Sequence, residues 1–196
     1  MRALRFLALP VLGLLAFGGS LFLAAKALGV DSPVFAFAVV GATLGFVVVT
    51  MPVIRWPLPG AVMGIRAWEQ SDAVYRQLGT AQFGALLRRS PFRHFNSTVY
   101  VRGRPGAVVA TRQNMIAAEA AHIWAALLTL PIVAGLAMRG SWIAVAWITA
   151  FSVVVNLYPV LHLRMMRAKV EAVIRRRARR DSVLVPAASR QASAPA

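Results

Sequence analysis

Apolar residues are concentrated in four long runs, and polar residues lie mainly in the segments between them. The runs cover residues 6–28, 34–54, 116–138 and 142–163. A helix needs about 20 mostly apolar residues to cross a bilayer. The pattern therefore predicts an all-α membrane protein with four transmembrane helices.

Short polar turns separate the runs in pairs. Asp31-Ser32-Pro33 lies between the first two runs, and proline suits the first turn of a helix because it has no N–H to donate. Arg139-Gly140-Ser141 lies between the last two. Because short turns join antiparallel neighbours, we expect the third and fourth spans to form a helix hairpin.

The segment 55–115, between the second and third spans, is too long for a simple connection. Apolar residues of 61–87 recur within it at roughly helical spacing beside arginines. This spacing predicts one or two amphipathic helices on the cytoplasmic membrane surface, interrupted at Gly79-Thr80. Residues 97–109 are richer in Val and Gly, which favours a small hairpin or a loop.

The C-terminal residues 181–196 are rich in Ser, Ala and Pro and are expected to be disordered. We therefore expect a single membrane domain over residues 1–180. The absence of cysteine excludes a disulfide framework and thiolate chemistry. An apolar content of 59% excludes a disordered chain and argues against a soluble nucleic-acid-binding protein, although the net charge is +16.

The distribution of cations predicts the orientation. Of the 22 Lys and Arg residues, only Lys26, near the end of the first run, and Arg139 lie on the side of the two short turns. Cytoplasmic segments carry the excess of cations, so we predict a multi-pass protein of the cell membrane with both termini and segment 55–115 in the cytoplasm. An alternative for the first run is a secretory signal, since Arg2 and Arg5 precede it.

Two ionisable residues, Glu119 and His122, lie three positions apart in the third span and therefore share a face of its helix. Ionisable residues inside a membrane are costly and usually functional. The alternative is that both lie at headgroup depth in the first two turns of the helix, where water and the helix N-terminus satisfy Glu119.

The hairpin predicts a partner for His122. Residues at equal depth on the third and fourth spans have numbers that sum to about 279, which places His122 opposite Asn156, with Tyr158 near Glu119. Polar groups at one depth on facing helices are typical of a site. The alternative is an interhelical hydrogen bond that only holds the hairpin together.

Other kinds of site find little support. The chain has three histidines and no metal-ligand spacing, and we expect neither a metal nor a cofactor. His162 is interpreted as an interfacial residue. The run Arg175–Arg180 is interpreted as a basic helix end on anionic lipid, because no aromatic platform for nucleic acid accompanies it.

Four stretches of the chain resemble the bacterial glycosyl-4,4'-diaponeurosporenoate acyltransferases, small membrane proteins of carotenoid biosynthesis. They span residues 68–167. The stretches are Trp68-Glu69 with Tyr75–Gly79 and Phe83; Thr111-Arg112 with Ala118–Trp124; Leu130-Pro131; and Asn156–Pro159 with Arg164 and Arg167. The chain departs from the family pattern at Gly84, where a basic residue is usual, and at Leu163–Arg167.

The resemblance implies transfer of a fatty acyl group from acyl-CoA or an acyl carrier to a sugar hydroxyl of a membrane-embedded glycolipid, such as a glycosylated carotenoid. In this hypothesis His122 is the general base and Glu119 orients it. Asn156 or Tyr158 donates to the developing oxyanion. The arginines hold the phosphates of the donor; they are Arg112, Arg164 and Arg167.

Two further functions remain open. The chain is a non-enzymatic four-span scaffold or lipid-binding assembly protein if its polar residues only fix helix packing. It is a membrane hydrolase if the same pair activates water. We expect an accessible cavity at Glu119, His122 and Asn156 in an enzyme, and tight mutual contact of their side chains in a scaffold.

Overall fold

The computed structural model describes residues 2–54, 56–90 and 107–192. Within these ranges it contains helices and turns and no strand, which confirms the all-α prediction. The helices are α1 (Arg2–Leu28), α2 (Pro33–Thr50), α3 (Gly60–Met63), a 3₁₀ turn (Ala67–Gln70), α4 (Asp72–Gln77), α5 (Thr80–Arg89), α6 (Ala107–Met138), α7 (Trp142–Ser152), a π-helical segment (Val153–Leu157) and α8 (Tyr158–Ala192).

Three stretches of the described chain are helical, long enough and apolar enough to cross a membrane. They are Pro33–Thr50, Val108–Met138 and Trp142–Arg180. The described apolar part of α1, Leu12–Leu28, is shorter than these. The second, third and fourth predicted spans thus correspond to such helices, and a fourth crossing by α1 stays a prediction.

Both predicted turns are confirmed. Ser32 caps α2, since its Oγ accepts a hydrogen bond from Val34 N at 3.2 Å, and Pro33 is the first helical residue. α6 ends at Met138 and α7 begins at Trp142. Gly140 lies between them with a φ of 76°, a left-handed conformation that glycine adopts without a Cβ clash.

The ends of the helices differ from those that hydropathy predicts. α2 ends at Thr50, two residues before Pro52, because proline cannot continue the helical hydrogen bonds. α6 begins at Ala107, well before residue 116, and α8 continues to Ala192 through the segment 181–192 that was expected to be disordered. Alanine, arginine and glutamine are good helix formers, which is why α6 begins before its apolar part and α8 continues through its arginine-rich part.

The segment between α2 and α6 forms several short helices where one or two longer ones were expected. The predicted interruption at Gly79-Thr80 is confirmed, since Gly79 has a φ of 68° and α5 begins at Thr80. Of the predicted hairpin or loop at 97–109, residues 97–106 lie outside the described residues. Residues 107–109 are the first residues of α6.

The chain divides into two compact units, which we name unit 1 (Met1–Met63 and Ala117–Leu161) and unit 2 (Gly64–Ile116 and His162–Ala196). In unit 1, α2 packs against both α1 and α7. The expectation of a single membrane domain over residues 1–180 stays a prediction. The main core of unit 1 consists of Phe35, Ala36, Val39, Val40, Leu136, Ala144 and Ile148.

A second core of unit 1 links α2 to α6. Val47 packs with Ala121 and Ala125, and the rings of Trp56 and Trp124 lie beside them with their centroids 5.3 Å apart. This packing fixes the rotation of α6 about its axis. It therefore decides which side of α6 is left for a site.

Candidate active site

The predicted partnership of His122 and Asn156 is confirmed in unit 1. The imidazole of His122 lies beside the Asn156 side chain and interacts with the backbone carbonyl of Val155. Asn156 in turn donates from Nδ2 to Ser152 Oγ at 3.1 Å. The antiparallel pairing of α6 with the helix that follows it therefore sets this contact.

The backbone around Asn156 departs from a regular α-helix. Residues Val153–Leu157 are π-helical, and Tyr158 N donates to Val153 O, five residues back. Pro159 comes next in the chain. It has no N–H to donate to Val155 O, four residues back, and its ring would clash with that carbonyl in a regular α-helix. The carbonyl that Pro159 cannot satisfy is the one that His122 contacts. Single π-helical turns of this kind are frequent at functional sites.

Two polar atoms of this pair are left unsatisfied. Among the described residues, His122 Nδ1 and Asn156 Oδ1 are buried and have no hydrogen-bond partner. The two side chains are close, but they are not aligned well enough to satisfy these atoms. Because their side chains also line a cavity, the pair is suited to bind polar atoms of a ligand.

A cavity of about 320 Å³ adjoins the pair. It lies within unit 1, between α6 on one side and α7 with the π-helical segment on the other, and His122 and Asn156 are both in its lining. Most of the remaining lining is aliphatic, including Leu127, Leu130 and Val133. The volume is within the range of about 300–1,000 Å³ that is usual for small-molecule sites.

Glu119 and Tyr158 do not line this cavity in the described structure. Glu119 is 1% exposed and lies 12 residues after the first residue of α6, about 18 Å along the axis. It therefore does not lie in the first two turns of the helix, and the helix N-terminus cannot be what satisfies it. Tyr158 is half-buried at the start of α8.

In unit 2, the buried carboxylate of Glu69 is surrounded by donors. Arg164 donates to it from Nε, and from Nη2 at 2.9 Å. Arg66 N donates at 2.7 Å and the Tyr75 hydroxyl at 3.1 Å. Arg164 Nη2 also donates to Gly64 O at 2.9 Å. We name these residues the Glu69 cluster.

The Glu69 carboxyl group and the Tyr75 hydroxyl group of the Glu69 cluster both have pKa values shifted from their ordinary ones. Burial by itself would raise the pKa of Glu69, but the hydrogen bonds and charge of Arg164, with the Arg66 N–H and the Tyr75 hydroxyl, lower that pKa from 4.5 to about 2. Burial and the charge of Glu69 raise the pKa of Tyr75 to about 12. The cluster therefore consists of an ionised carboxylate and a neutral phenol at neutral pH.

The three arginines predicted to bind donor phosphates belong to unit 2. Arg164 forms the ion pair with Glu69, and its side chain is 12% exposed. Arg167 is fully buried. Arg112 is more exposed and pairs through Nε with Glu171 Oε1 at 3.2 Å. Arg112 is thus the most accessible of the three to a solvent-borne anion.

Sequence reasoning missed the role of Glu69 and the packing of His162. Glu69 is one of only six acidic residues beside 22 cations, which could have marked it as a residue with a fixed partner. His162 is buried, not interfacial, and a Cβ at Gly84 would lie 2.5 Å from its Cε1. The His162 ring therefore packs so closely on Gly84 that a Cβ at this position would force the ring to shift.

The apolar helices are those of a membrane protein, and the polar pair beside an apolar cavity is suited to an amphipathic substrate. Comparison with family models gives a match to glycosyl-4,4'-diaponeurosporenoate acyltransferase over residues 59–176. The chain belongs to this family. Comparison with curated proteins found no match, and comparison with solved structures found none. The matched range includes both the His122–Asn156 pair and the Glu69 cluster.

Proposed function

We propose that the protein is a membrane acyltransferase that moves a fatty acyl group from acyl-CoA or an acyl carrier to a sugar hydroxyl of a glycosylated carotenoid. The observation that carries this proposal is the unsatisfied His122–Asn156 pair in the lining of an apolar cavity. Family membership supplies the reaction class. An acyl donor and an amphipathic acceptor both need an apolar space next to a polar reacting centre.

His122 is the general base in this proposal. We propose that Nε2 carries the proton and donates it to Val155 O, because a carbonyl oxygen can only accept a hydrogen bond and Nδ1 has no partner among the described residues; Nδ1 then keeps its lone pair. Nδ1 takes the proton of the sugar hydroxyl while the oxygen attacks the thioester carbonyl. The tetrahedral intermediate then expels the thiolate, which takes the proton back from the imidazolium, and the products are an ester and a free thiol.

Asn156 is proposed to stabilise the oxyanion of the tetrahedral intermediate through the amide N–H that does not donate to Ser152. The structure is consistent with this role because Asn156 lies in the π-helical segment and its side chain contacts His122 of α6. Glu119 lies one turn before His122 on α6, and we propose that it orients the histidine electrostatically. Tyr158 is kept as a second candidate donor.

The arginines divide between two roles in the proposal. Arg112 is kept as a ligand for donor phosphates. Arg167 is fully buried and is not kept in that role. Arg164 is proposed to position the 64–77 segment through Glu69. The cation distribution supports a cytoplasmic location for this unit and for both termini in the cell membrane.

The test uses the full-length protein in lipid vesicles that contain glycosyl-4,4'-diaponeurosporenoate, with acyl-CoA added outside and products measured by mass spectrometry. We expect His122→Ala to lower ester formation about 10²- to 10⁴-fold and Asn156→Ala to lower it about 10²- to 10³-fold. His162→Ala is the matched control, because it removes another buried histidine that lies outside the cavity lining.

Three outcomes separate the candidate functions. An acylated carotenoid that disappears in His122→Ala and persists in His162→Ala supports the transferase. Free fatty acid without ester would identify a hydrolase. If the parent protein makes neither product and the variants change only its stability, the protein is a scaffold and the transferase proposal is wrong.

A further inference from the structure

The cavity extends far beyond the reacting pair. On α6 its lining runs from His122 to Val133, which is eleven residues or about 16 Å of helix. On the facing helix it runs back from Asn156 to Ile148. The polar pair therefore lies toward one end of an elongated space. The rest of that space runs along the helices toward the α6–α7 turn and is partly open, since Leu127 and Leu130 in its lining are 44% and 59% exposed.

The elongated part of the cavity presents apolar surface even where its lining contains hydroxyl groups. Thr129 Oγ1 donates to Ala125 O at 2.8 Å and lies 3.3 Å from Thr43 Oγ1 on α2. Ser152 Oγ accepts from Asn156. These two hydroxyls have partners within the protein, and Thr149 supplies the remaining hydroxyl of a lining that is otherwise predominantly aliphatic beyond the pair.

Both substrates of the proposed reaction have apolar parts, but their chemistry places them differently. In the donor, the alkyl chain is bonded directly to the carbonyl carbon that reacts. In the acceptor, a sugar separates the polyene from the hydroxyl that reacts. An apolar space that begins directly at the reacting pair therefore fits the alkyl chain of the donor and not the polyene.

We propose that this cavity binds the acyl chain of the donor and limits the length of that chain; this inference rests on the proposed function. The carbonyl lies at His122 and Asn156, and the chain extends along α6 toward Val133. A staggered, fully extended saturated chain that fills about 16 Å has roughly a dozen carbons. Ala126 is one turn from His122, so a larger side chain there shortens the space most.

The experiment measures chain-length preference by internal competition. Vesicles with glycosyl-4,4'-diaponeurosporenoate receive an equimolar series of saturated short- to long-chain acyl-CoA donors, and mass spectrometry gives the ratio of long-chain to short-chain ester. We expect Ala126→Phe to lower this ratio at least about tenfold and Val133→Phe to lower it less. Ala134→Phe is the matched control, because Ala134 is exposed on α6 outside the lining.

The ratio is independent of how much folded enzyme is present. If Ala126→Phe does not fold, Thr149→Leu on the facing helix replaces it, with the same expected direction. An unchanged ratio in an active variant would overturn the inference, as would a larger effect at Val133 than at Ala126. A variant that instead raises the KM for the carotenoid would assign the cavity to the acceptor. Only a parent protein without any ester product would refute the proposed function itself.

Discussion

The two units each bury a polar cluster, and the two clusters differ in how completely they are satisfied. In unit 2, both carboxylate oxygens of Glu69 accept hydrogen bonds from Arg164, with Arg66 N and Tyr75 adding one each. In unit 1, His122 Nδ1 and Asn156 Oδ1 have no partner among the described residues, and a cavity adjoins them.

This difference separates a structural role from a functional one. A fully satisfied buried network gains nothing from a ligand, and it rigidifies the elements that it joins. An unsatisfied pair beside a cavity costs stability unless a ligand completes it. The contrast predicts that substitutions in the Glu69 cluster change mainly folding, whereas substitutions at the His122–Asn156 pair change mainly turnover.

The largest expected effect on stability is that of Glu69→Ala. It removes the carboxylate from the guanidinium of Arg164, whose side chain is 12% exposed, and breaking a largely buried ion pair in this way costs about 3–5 kcal/mol. Glu171→Ala is the matched control in the same unit, because Glu171 pairs with the more exposed Arg112; there we expect less than about 1 kcal/mol. The free energy of unfolding is measured by denaturant titration in detergent micelles.

Denaturant titration of His122→Ala tests whether the His122–Asn156 pair contributes less to stability than the Glu69 cluster does. This variant should unfold much closer to the parent than Glu69→Ala does, although it loses ester formation. Equal destabilisation by His122→Ala and Glu69→Ala would show that both clusters are structural.

A pH titration gives the next largest effect. The Glu69 pKa is about 2 in the folded protein against an ordinary 4.5, so the unfolded state binds the proton more readily. The stabilisation is present above about pH 5 and is lost as the pH falls through 4.5 toward 2, by up to about 3 kcal/mol. In Glu69→Gln this part of the pH dependence should be absent; if it persists, another carboxyl group is responsible.

A smaller effect is expected at Gly84. An added Cβ would lie 2.5 Å from His162 Cε1 and 2.9 Å from its Nδ1, so Gly84→Ala should destabilise by about 1–3 kcal/mol through overpacking. The control is Gly135→Ala on α6, where a Cβ meets nothing within 4 Å. In a His162→Ala background, Gly84→Ala should cost little, as measured by a double-mutant cycle; an unchanged cost there would mean that the clash is with something else.

Hydropathy predicted the apolar helices, and proline and glycine residues predicted both short turns. Both signals are properties of short segments of the chain, so they do not depend on tertiary packing. They misplaced helix ends such as Ala107, since a helix does not stop where its apolar residues stop. The contact between His122 and Asn156 could be predicted by counting residues on both sides of the α6–α7 turn, because a helix rises by a constant distance per residue. Glu69 and Arg164 are 95 residues apart in the chain, and no helical repeat or short turn relates their positions, so their ion pair could not be predicted.

The amino-acid sequence by itself determined the helical class, the membrane character, the family resemblance and the pairing of residues across the α6–α7 turn. All of these depend on composition, local period or short separations. Only the tertiary structure decided that Glu69 and Arg164 pair, that His162 packs on Gly84, and that a cavity adjoins His122. These features depend on how helices rotate about their axes and on which atoms pack together, and such long-range packing is not encoded in any local pattern.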